Sequence, residues 1–129
     1  MRALIVDDSA VMRKVIERAL RQAGLELSEV LQASNGEEAL QTLRENQAGS
    51  TPLALILSDI NMPVMDGWDF MEHYVKIKPQ MGKKIIVYMV SSSINDEDIL
   101  RAKAIADISD YIIKPVSPER LIELFALAA

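Results

Sequence analysis

The sequence predicts an α/β fold in three layers, with a parallel β-sheet between two layers of helices. Short apolar runs alternate with amphipathic stretches along the whole chain, five of each. Most of the runs are continuously apolar, as strands buried on both faces should be. A repeated strand-then-helix order implies a parallel sheet with helices on both faces. The 129 residues fit one core, so we expect residues 1–129 to form a single domain.

The individual elements follow from the positions of the apolar residues. The strands are predicted at 3–6, 30–31, 53–57, 85–90 and 111–113. The helices are predicted from apolar spacings of three and four residues, at 12–23, 39–43, 70–75, 99–106 and 121–128. Gly24 ends the first helix, and Ser117-Pro118 begins the fifth as an N-cap followed by proline. The fourth helix has the weakest apolar face, and 47–52 and 79–82 are predicted loops.

Composition excludes several classes of function. The net charge of −5 argues against direct nucleic-acid binding, which requires a basic face. The absence of cysteine excludes disulfides, thiolate metal sites and thiol catalysis. The first ten residues turn acidic too soon for a signal peptide, and no apolar run is long enough to span a bilayer. We therefore expect a cytoplasmic location without membrane insertion.

Polar side chains follow four of the five predicted strands. Asp7 and Asp8 follow the first strand, Asp59 the third, a run of three serines the fourth and Lys114 the fifth. Ligands of open α/β sheets bind outside the carboxyl ends of the strands. If these four strands are neighbours, their polar residues converge on one pocket.

The chemistry of such a pocket favours phosphoryl transfer. Three carboxylates repel one another, and a hard divalent cation with oxygen ligands relieves that repulsion. Without His or Cys, the site suits Mg²⁺ or Mn²⁺ better than zinc. A lysine and a hydroxyl complete a set of groups that can hold a phosphoryl group, and a carboxylate can be its nucleophile. Asp59 stands alone and is the better candidate, but composition does not settle that choice. Asp7-Asp8 by itself would be read as a helix cap with an acidic first turn.

Four spaced motifs carry a resemblance to a known family. They are ALIVDDSAVMRKVI at 3–16, LILSDINMPVMDG at 55–67, YMVSSS at 88–93 and DYIIKP at 110–115. With them the whole chain resembles bacterial response-regulator receiver domains, especially the stand-alone chemotaxis regulators of CheY type. The resemblance implies a flavodoxin-like sheet of strand order 2-1-3-4-5. It also implies that Asp59 is phosphorylated, that Asp8 and Asp59 bind Mg²⁺ directly, that Asp7 acts through water, and that the carbonyl of Asn61 is a further ligand.

Further roles follow from the same resemblance. Lys114 corresponds to the lysine that contacts the phosphoryl group, and the Lys114–Pro115 peptide is expected to be cis. Ser91 corresponds to the hydroxyl that turns toward the phosphate, and Tyr111 to the aromatic residue that changes rotamer with it. One residue more than usual separates the serine from the lysine, so Ser91 fits the motif while Ser92 fits the spacing. The usual Gly-Ala before the last strand is replaced by residues 106–109.

The resemblance implies a signalling switch and not a multiple-turnover enzyme. A histidine kinase or phosphotransfer protein would donate the phosphoryl group, and a target protein would bind the face formed by the fourth helix, fifth strand and fifth helix. An aspartate-nucleophile phosphatase of the haloacid dehalogenase type is an alternative, but it would have Asp-x-Asp after the first strand. A flavin mononucleotide binder would need a phosphate loop where this chain has two carboxylates. A receiver fold that serves as a scaffold without phosphorylation is a third alternative. Whether the chain is a complete regulator or part of a longer protein stays open.

Overall fold

Five strands and five helices alternate along the chain in the computed structural model, which describes residues 1–46, 53–80, 84–92 and 94–128. The strands are β1 (Arg2–Val6), β2 (Glu29–Ala33), β3 (Leu53–Asp59), β4 (Ile86–Ser91) and β5 (Asp110–Ile113). The helices are α1 (Ala10–Gln22), α2 (Gly36–Glu45), α3 (Gly67–Ile77), α4 (Asp96–Ala104) and α5 (Pro118–Ala128). Every predicted strand and helix is present, so the α/β prediction is confirmed. Among the described residues, no helix has the length and apolarity that crossing a membrane requires.

All five strands are parallel and lie in the order β2-β1-β3-β4-β5. This is the order that the resemblance implied. β1 is buried throughout, as its apolar sequence predicted, whereas the edge strand β2 is only partly buried. Apolar side chains of α2, α3 and α4 pack on one face of the sheet, and those of α1 and α5 pack on the other. The sheet is therefore the middle layer of three, with its carboxyl edge open between the helices.

Side-chain caps begin the helices that follow the strands. Ser9, Asn35, Asp66 and Asn95 each accept a hydrogen bond from a backbone N–H in the first turn of the helix that follows. Such caps satisfy N–H groups that have no partner within the helix. The Ser117 hydroxyl accepts from the N–H of Arg120 at 3.1 Å, as predicted for the start of α5. These caps fix the residue at which each helix begins after the strand that precedes it.

The segment between α4 and β5 differs from its prediction. The helix ends at Ala104 and not at residue 106, because Ile105 has an extended backbone. Ile108 is then buried, and the N–H of Ser109 donates to the Val87 carbonyl at 2.7 Å, which leads the chain into β5. Asp107 forms an ion pair with Lys78.

The predicted loops have mixed outcomes. The prediction for 79–82 was wrong in its first half, because residues 79 and 80 belong to a short 3-10 helix, Lys78–Gln80. Residues 81 and 82 and the predicted loop at 47–52 lie outside the described residues.

Candidate functional site

The strand-end residues meet at the carboxyl edge of the sheet because of the strand register. Val6 of β1 lies opposite Ser58 of β3, so the residues that follow them, Asp7 and Asp59, are neighbours. Carboxylate oxygens of Asp7, Asp8 and Asp59 all lie within 4.8 Å of one another. The structure therefore brings together three side chains that are separated by up to 52 positions in sequence (59 − 7).

Lys114 connects the two inner carboxylates. Its Nζ lies 2.9 Å from Asp7 Oδ2 and 3.2 Å from Asp59 Oδ2. The other oxygen of each carboxylate accepts a backbone hydrogen bond: Asp7 Oδ1 from the N–H of Ser9 at 2.8 Å, and Asp59 Oδ1 from the N–H of Ile60 at 2.7 Å. Asp7 is 1% exposed and Asp59 is 8% exposed, whereas Asp8 faces solvent. Two carboxylates are thus held in fixed orientations beside a third that is accessible.

The charges in this site are not balanced. Burial raises the pKa of Asp59; the Lys114 charge opposes that rise and the Asp7 charge adds to it, and the net direction is upward from 3.8. Burial disfavours the charged form of Lys114, but its hydrogen bond to Asp7 and the charges of Asp59 and Asp7 outweigh this and raise the pKa of Lys114. Lys114 therefore stays protonated and positively charged, yet its charge does not fully offset the cost of ionising Asp59.

The donor set fits a hard divalent cation. It consists of carboxylate oxygens only, two of them buried, with excess negative charge at the edge where Asp8 is open to solvent. Mg²⁺ and Mn²⁺ prefer oxygen donors and commonly keep several water ligands. A bound cation would supply the positive charge that Lys114 alone does not.

The raised pKa of Asp59 predicts that ionised Asp59 destabilises the fold. A carboxyl group whose pKa is raised on folding stabilises the protein below its ordinary pKa of 3.8, and this contribution is lost as pH rises through the folded-state value. In EDTA at pH 7, Asp59→Asn should therefore raise the free energy of unfolding measured with urea. This stabilisation of Asp59→Asn relative to the parent should disappear at pH values below the ordinary aspartate pKa.

A matched control for that measurement is Asp66→Asn. Asp66 caps α3 by accepting from the N–H of Asp69 at 2.9 Å, and asparagine is an equally good cap. It removes the same charge outside the site and should leave stability unchanged. Equal stabilisation by both substitutions would show that net charge, and not the buried site, is responsible.

The structure separates the two candidate serines by burial. Ser91 is the last residue of β4 and is 1% exposed, whereas Ser92 is exposed. Val90, just before Ser91, pairs with Asp59 of β3, and the Ser91 carbonyl accepts from the N–H of Lys114 at 2.9 Å. Ser91 lies opposite Ile113 in the sheet, so it shares a sheet face with Tyr111, two residues earlier in β5. These positions favour Ser91 over Ser92. Tyr111 is 7% exposed.

The remaining predicted residues lie on the loops around the site. Asn61 is exposed in the segment that joins β3 to α3, two residues after Asp59. The peptide between Lys114 and Pro115 is cis. Ser93, the last of the three serines at the end of β4, lies outside the described residues.

Two residues that adjoin the site were not predicted to contribute to it. Arg13 of α1 donates through Nη1 to the backbone carbonyl of Asp7 at 2.6 Å. Gly67, the first residue of α3, lies against the backbone of Asp59 and Ile60, and its N–H donates to the Ile60 carbonyl at 2.8 Å. The sequence offered a turn signal at Asp66-Gly67, but nothing that marked Arg13 among the basic residues of its helix.

Fold and site together define an open α/β protein with an acidic, lysine-bridged site at the carboxyl edge of its sheet. Residues 3–126 match the family model described as the response regulator receiver domain. The chain is 34% identical to the chemotaxis protein CheY of Thermotoga maritima over 122 residues, covering 95% of this chain and 92% of that protein. It is 32% identical to CheY1 of Helicobacter pylori strain 26695 over 124 residues, with the same coverage. A response regulator receiver protein of Dyadobacter fermentans has a structure with a TM-score of 0.84 at 31% identity, covering 98% of this chain and 96% of that one.

The chain belongs to the response regulator receiver domain family. Its function is that of a phosphorelay receiver in signal transduction, and its relatives include chemotaxis regulators. A haloacid dehalogenase-like phosphatase and a scaffold without phosphorylation are not favoured by these comparisons.

Proposed function

We propose that Asp59 accepts the phosphoryl group, in a reaction that requires Mg²⁺. The observation that carries this proposal is the contact of one lysine with two buried carboxylates: Lys114 Nζ lies within 3.2 Å of both Asp7 and Asp59. A lysine so placed can neutralise a phosphoryl oxygen on one side while Asp8 and Asp59 hold a cation directly on the other and Asp7 acts on that cation through water. The Asn61 carbonyl would be a further ligand, as the family resemblance implies, and the receiver would occupy residues 1–129.

The proposed reaction is an in-line transfer. A carboxylate oxygen of Asp59 forms a bond to phosphorus, and the bond from phosphorus to the imidazole nitrogen of the donor's phosphohistidine breaks. Backbone donation from Ile60 to Asp59 Oδ1 orients the carboxylate before it reacts. Lys114 offsets negative charge on the transferred group, and Mg²⁺ supplies the additional neutralisation that this chemistry needs. Chemistry of this kind depends on positioning and charge, which these residues can provide.

The phosphorylated state would then be transmitted through Ser91 and Tyr111. Ser91 would turn its hydroxyl toward the new phosphoryl oxygens, and Tyr111, on the same sheet face, would change rotamer. A target protein would recognise the face formed by α4, β5 and α5. Leu100, Ile113 and Ile122, one on each of these elements, are 65%, 45% and 51% exposed, and such apolar residues suit a protein partner. The chain would assist its own phosphorylation and dephosphorylation without turning over other substrates.

Incubation with acetyl phosphate and Mg²⁺, followed by intact-mass measurement, tests the proposal. The parent protein should gain one phosphoryl group, and EDTA should prevent the gain. Asp59→Asn should gain none, while Asp66→Asn, which keeps the site intact, should behave as the parent. An unmodified parent protein, or an Asp59→Asn variant that is still modified, would overturn the proposal.

A further inference from the structure

Arg13 is bound to the strand end that carries two of the three carboxylates. Its Nη1 donates to the Asp7 carbonyl at 2.6 Å, and its Nε donates to Gln32 Oε1 at 3.0 Å. Gln32 belongs to β2, the strand next to β1. One guanidinium therefore links the Asp7–Asp8 peptide to the side chain of a residue on the neighbouring strand. A hydrogen bond from such a charged donor is stronger than one from a neutral donor.

The orientation of the Asp7 carbonyl affects Asp8, because this carbonyl belongs to the peptide that joins the two residues. The N–H of Asp7 still donates to the sheet, to the Ala33 carbonyl at 3.0 Å, but β1 itself ends at Val6. Among the described residues, no hydrogen bond or ion pair holds the Asp8 side chain, which is exposed. The direction of the Asp8 carboxylate consequently depends on the backbone that precedes it. Arg13 is a side chain from another element that holds this backbone.

We infer that Arg13 is a positioning residue for the cation: it orients the Asp7–Asp8 peptide so that the Asp8 carboxylate faces the carboxylates of Asp7 and Asp59. The inference deepens the proposed function and depends on the Mg²⁺ site in it. Arg13 acts through the backbone of its neighbours and touches neither the cation nor the phosphoryl group.

Charge and position predict opposite effects when Arg13 is removed. A guanidinium near a cation site repels the cation, so loss of its charge alone should tighten Mg²⁺ binding. Loss of its hydrogen bond frees the peptide before Asp8 and should weaken binding. Weaker Mg²⁺ binding after removal of Arg13 would therefore indicate a positioning residue, and tighter binding would indicate only a nearby charge.

The planar guanidinium can donate hydrogen bonds to the Asp7 carbonyl and to Gln32 Oε1 at the same time. Lysine has the same charge but no rigid fork of donors, so it can replace only part of this contact. Arg13→Lys should accordingly lie between the parent and Arg13→Ala. Arg18 is the matched control, because it lies on the exposed side of α1 and its removal changes the net charge equally.

The experiment is a calorimetric titration of the full chain with MgCl₂ at fixed ionic strength. We expect Arg13→Ala to weaken Mg²⁺ binding roughly tenfold, the low end of the effect of removing groups that orient metal ligands. Arg13→Lys should weaken it less, and Arg18→Ala should leave it unchanged or slightly tighter. The urea unfolding midpoint in EDTA, measured in parallel, shows whether the Arg13 variants are folded.

Unchanged or tighter binding by Arg13→Ala would overturn the inference while leaving the proposed function intact. A parent protein that binds no Mg²⁺ would instead overturn the proposed function. If Arg13→Ala does not fold, Gln32→Ala removes the second anchor of the guanidinium and should weaken Mg²⁺ binding in the same direction. Parent-like affinity in that variant and in Arg13→Lys would then count against the inference.

Discussion

Replacement of Lys114 by alanine is expected to lower the free energy of unfolding by about 3 kcal/mol at pH 7 in EDTA, the low end of the cost of leaving a buried charge unpaired. Asp7 is 1% exposed and the Asp59 side chain 10% exposed, and Lys114 is the cation that contacts both. Without it, two carboxylates face each other in a largely buried position. Urea unfolding of the parent and the variant measures the difference.

Two further conditions identify the origin of that loss. Saturating Mg²⁺ should stabilise Lys114→Ala more than the parent, because the cation replaces the missing charge. Acid should reduce the difference in the free energy of unfolding between the parent and Lys114→Ala, because protonation of Asp59, whose pKa is raised, removes the repulsion. Lys78→Ala is the matched control: its ion pair with Asp107 is more exposed and should contribute no more than about 1 kcal/mol. Equal losses in the two variants would contradict this account of the site.

Gly67→Ala is expected to cost roughly 3 kcal/mol, at the upper end of the usual range for an added methyl group without space. A Cβ at this position would overlap the backbone carbonyl oxygen of Asp59 and lie 2.8 Å from Met89 Cε and 2.9 Å from Ile60 Cα. The methionine can move, but the two backbone atoms, one in the last residue of β3 and one in the residue after it, cannot do so without displacing Asp59. Unfolding should therefore be easier, and phosphorylation by acetyl phosphate should be slower even where the variant is folded.

Gly24→Ala is a control that distinguishes the effect of a steric clash from the effect of an unfavourable backbone conformation. Gly24 has φ of 88°, which disfavours any side chain, but a Cβ there would meet nothing within 4 Å. Its substitution should cost about 1 kcal/mol and leave phosphorylation unchanged. If Gly67→Ala behaves like Gly24→Ala in both measurements, the contact between α3 and the end of β3 is not needed for the site.

The fold class could be predicted because it depends on local patterns. Apolar runs and helical spacings appear in the sequence itself, and each predicted element was found. Strand order depends instead on which distant segments pair, and the residues alone did not specify it; the order 2-1-3-4-5 came from the family resemblance. The end of α4 could not be located because Ala106 favours a helix, whereas burial of Ile108 and the hydrogen bond from Ser109 to Val87 take the chain out of it.

The site could be predicted to the extent that parallel strands place their carboxyl ends together. That rule located Asp7, Asp8, Asp59 and Lys114, but it did not give the raised pKa of Asp59, which arises from burial. Arg13 could not be distinguished because α1 contains three other basic residues, Lys14, Arg18 and Arg21. Only the direction of its side chain toward the Asp7 carbonyl shows its contact with the site.

We propose that Asp59, and neither of its two acidic neighbours, carries the phosphoryl group. After phosphorylation with acetyl phosphate and Mg²⁺, borohydride reduces an aspartyl phosphate to homoserine, and peptide mass spectrometry locates the altered residue. We expect homoserine at position 59 alone. Homoserine at position 7 or 8, or a phosphoryl group on a residue other than aspartate, would contradict it.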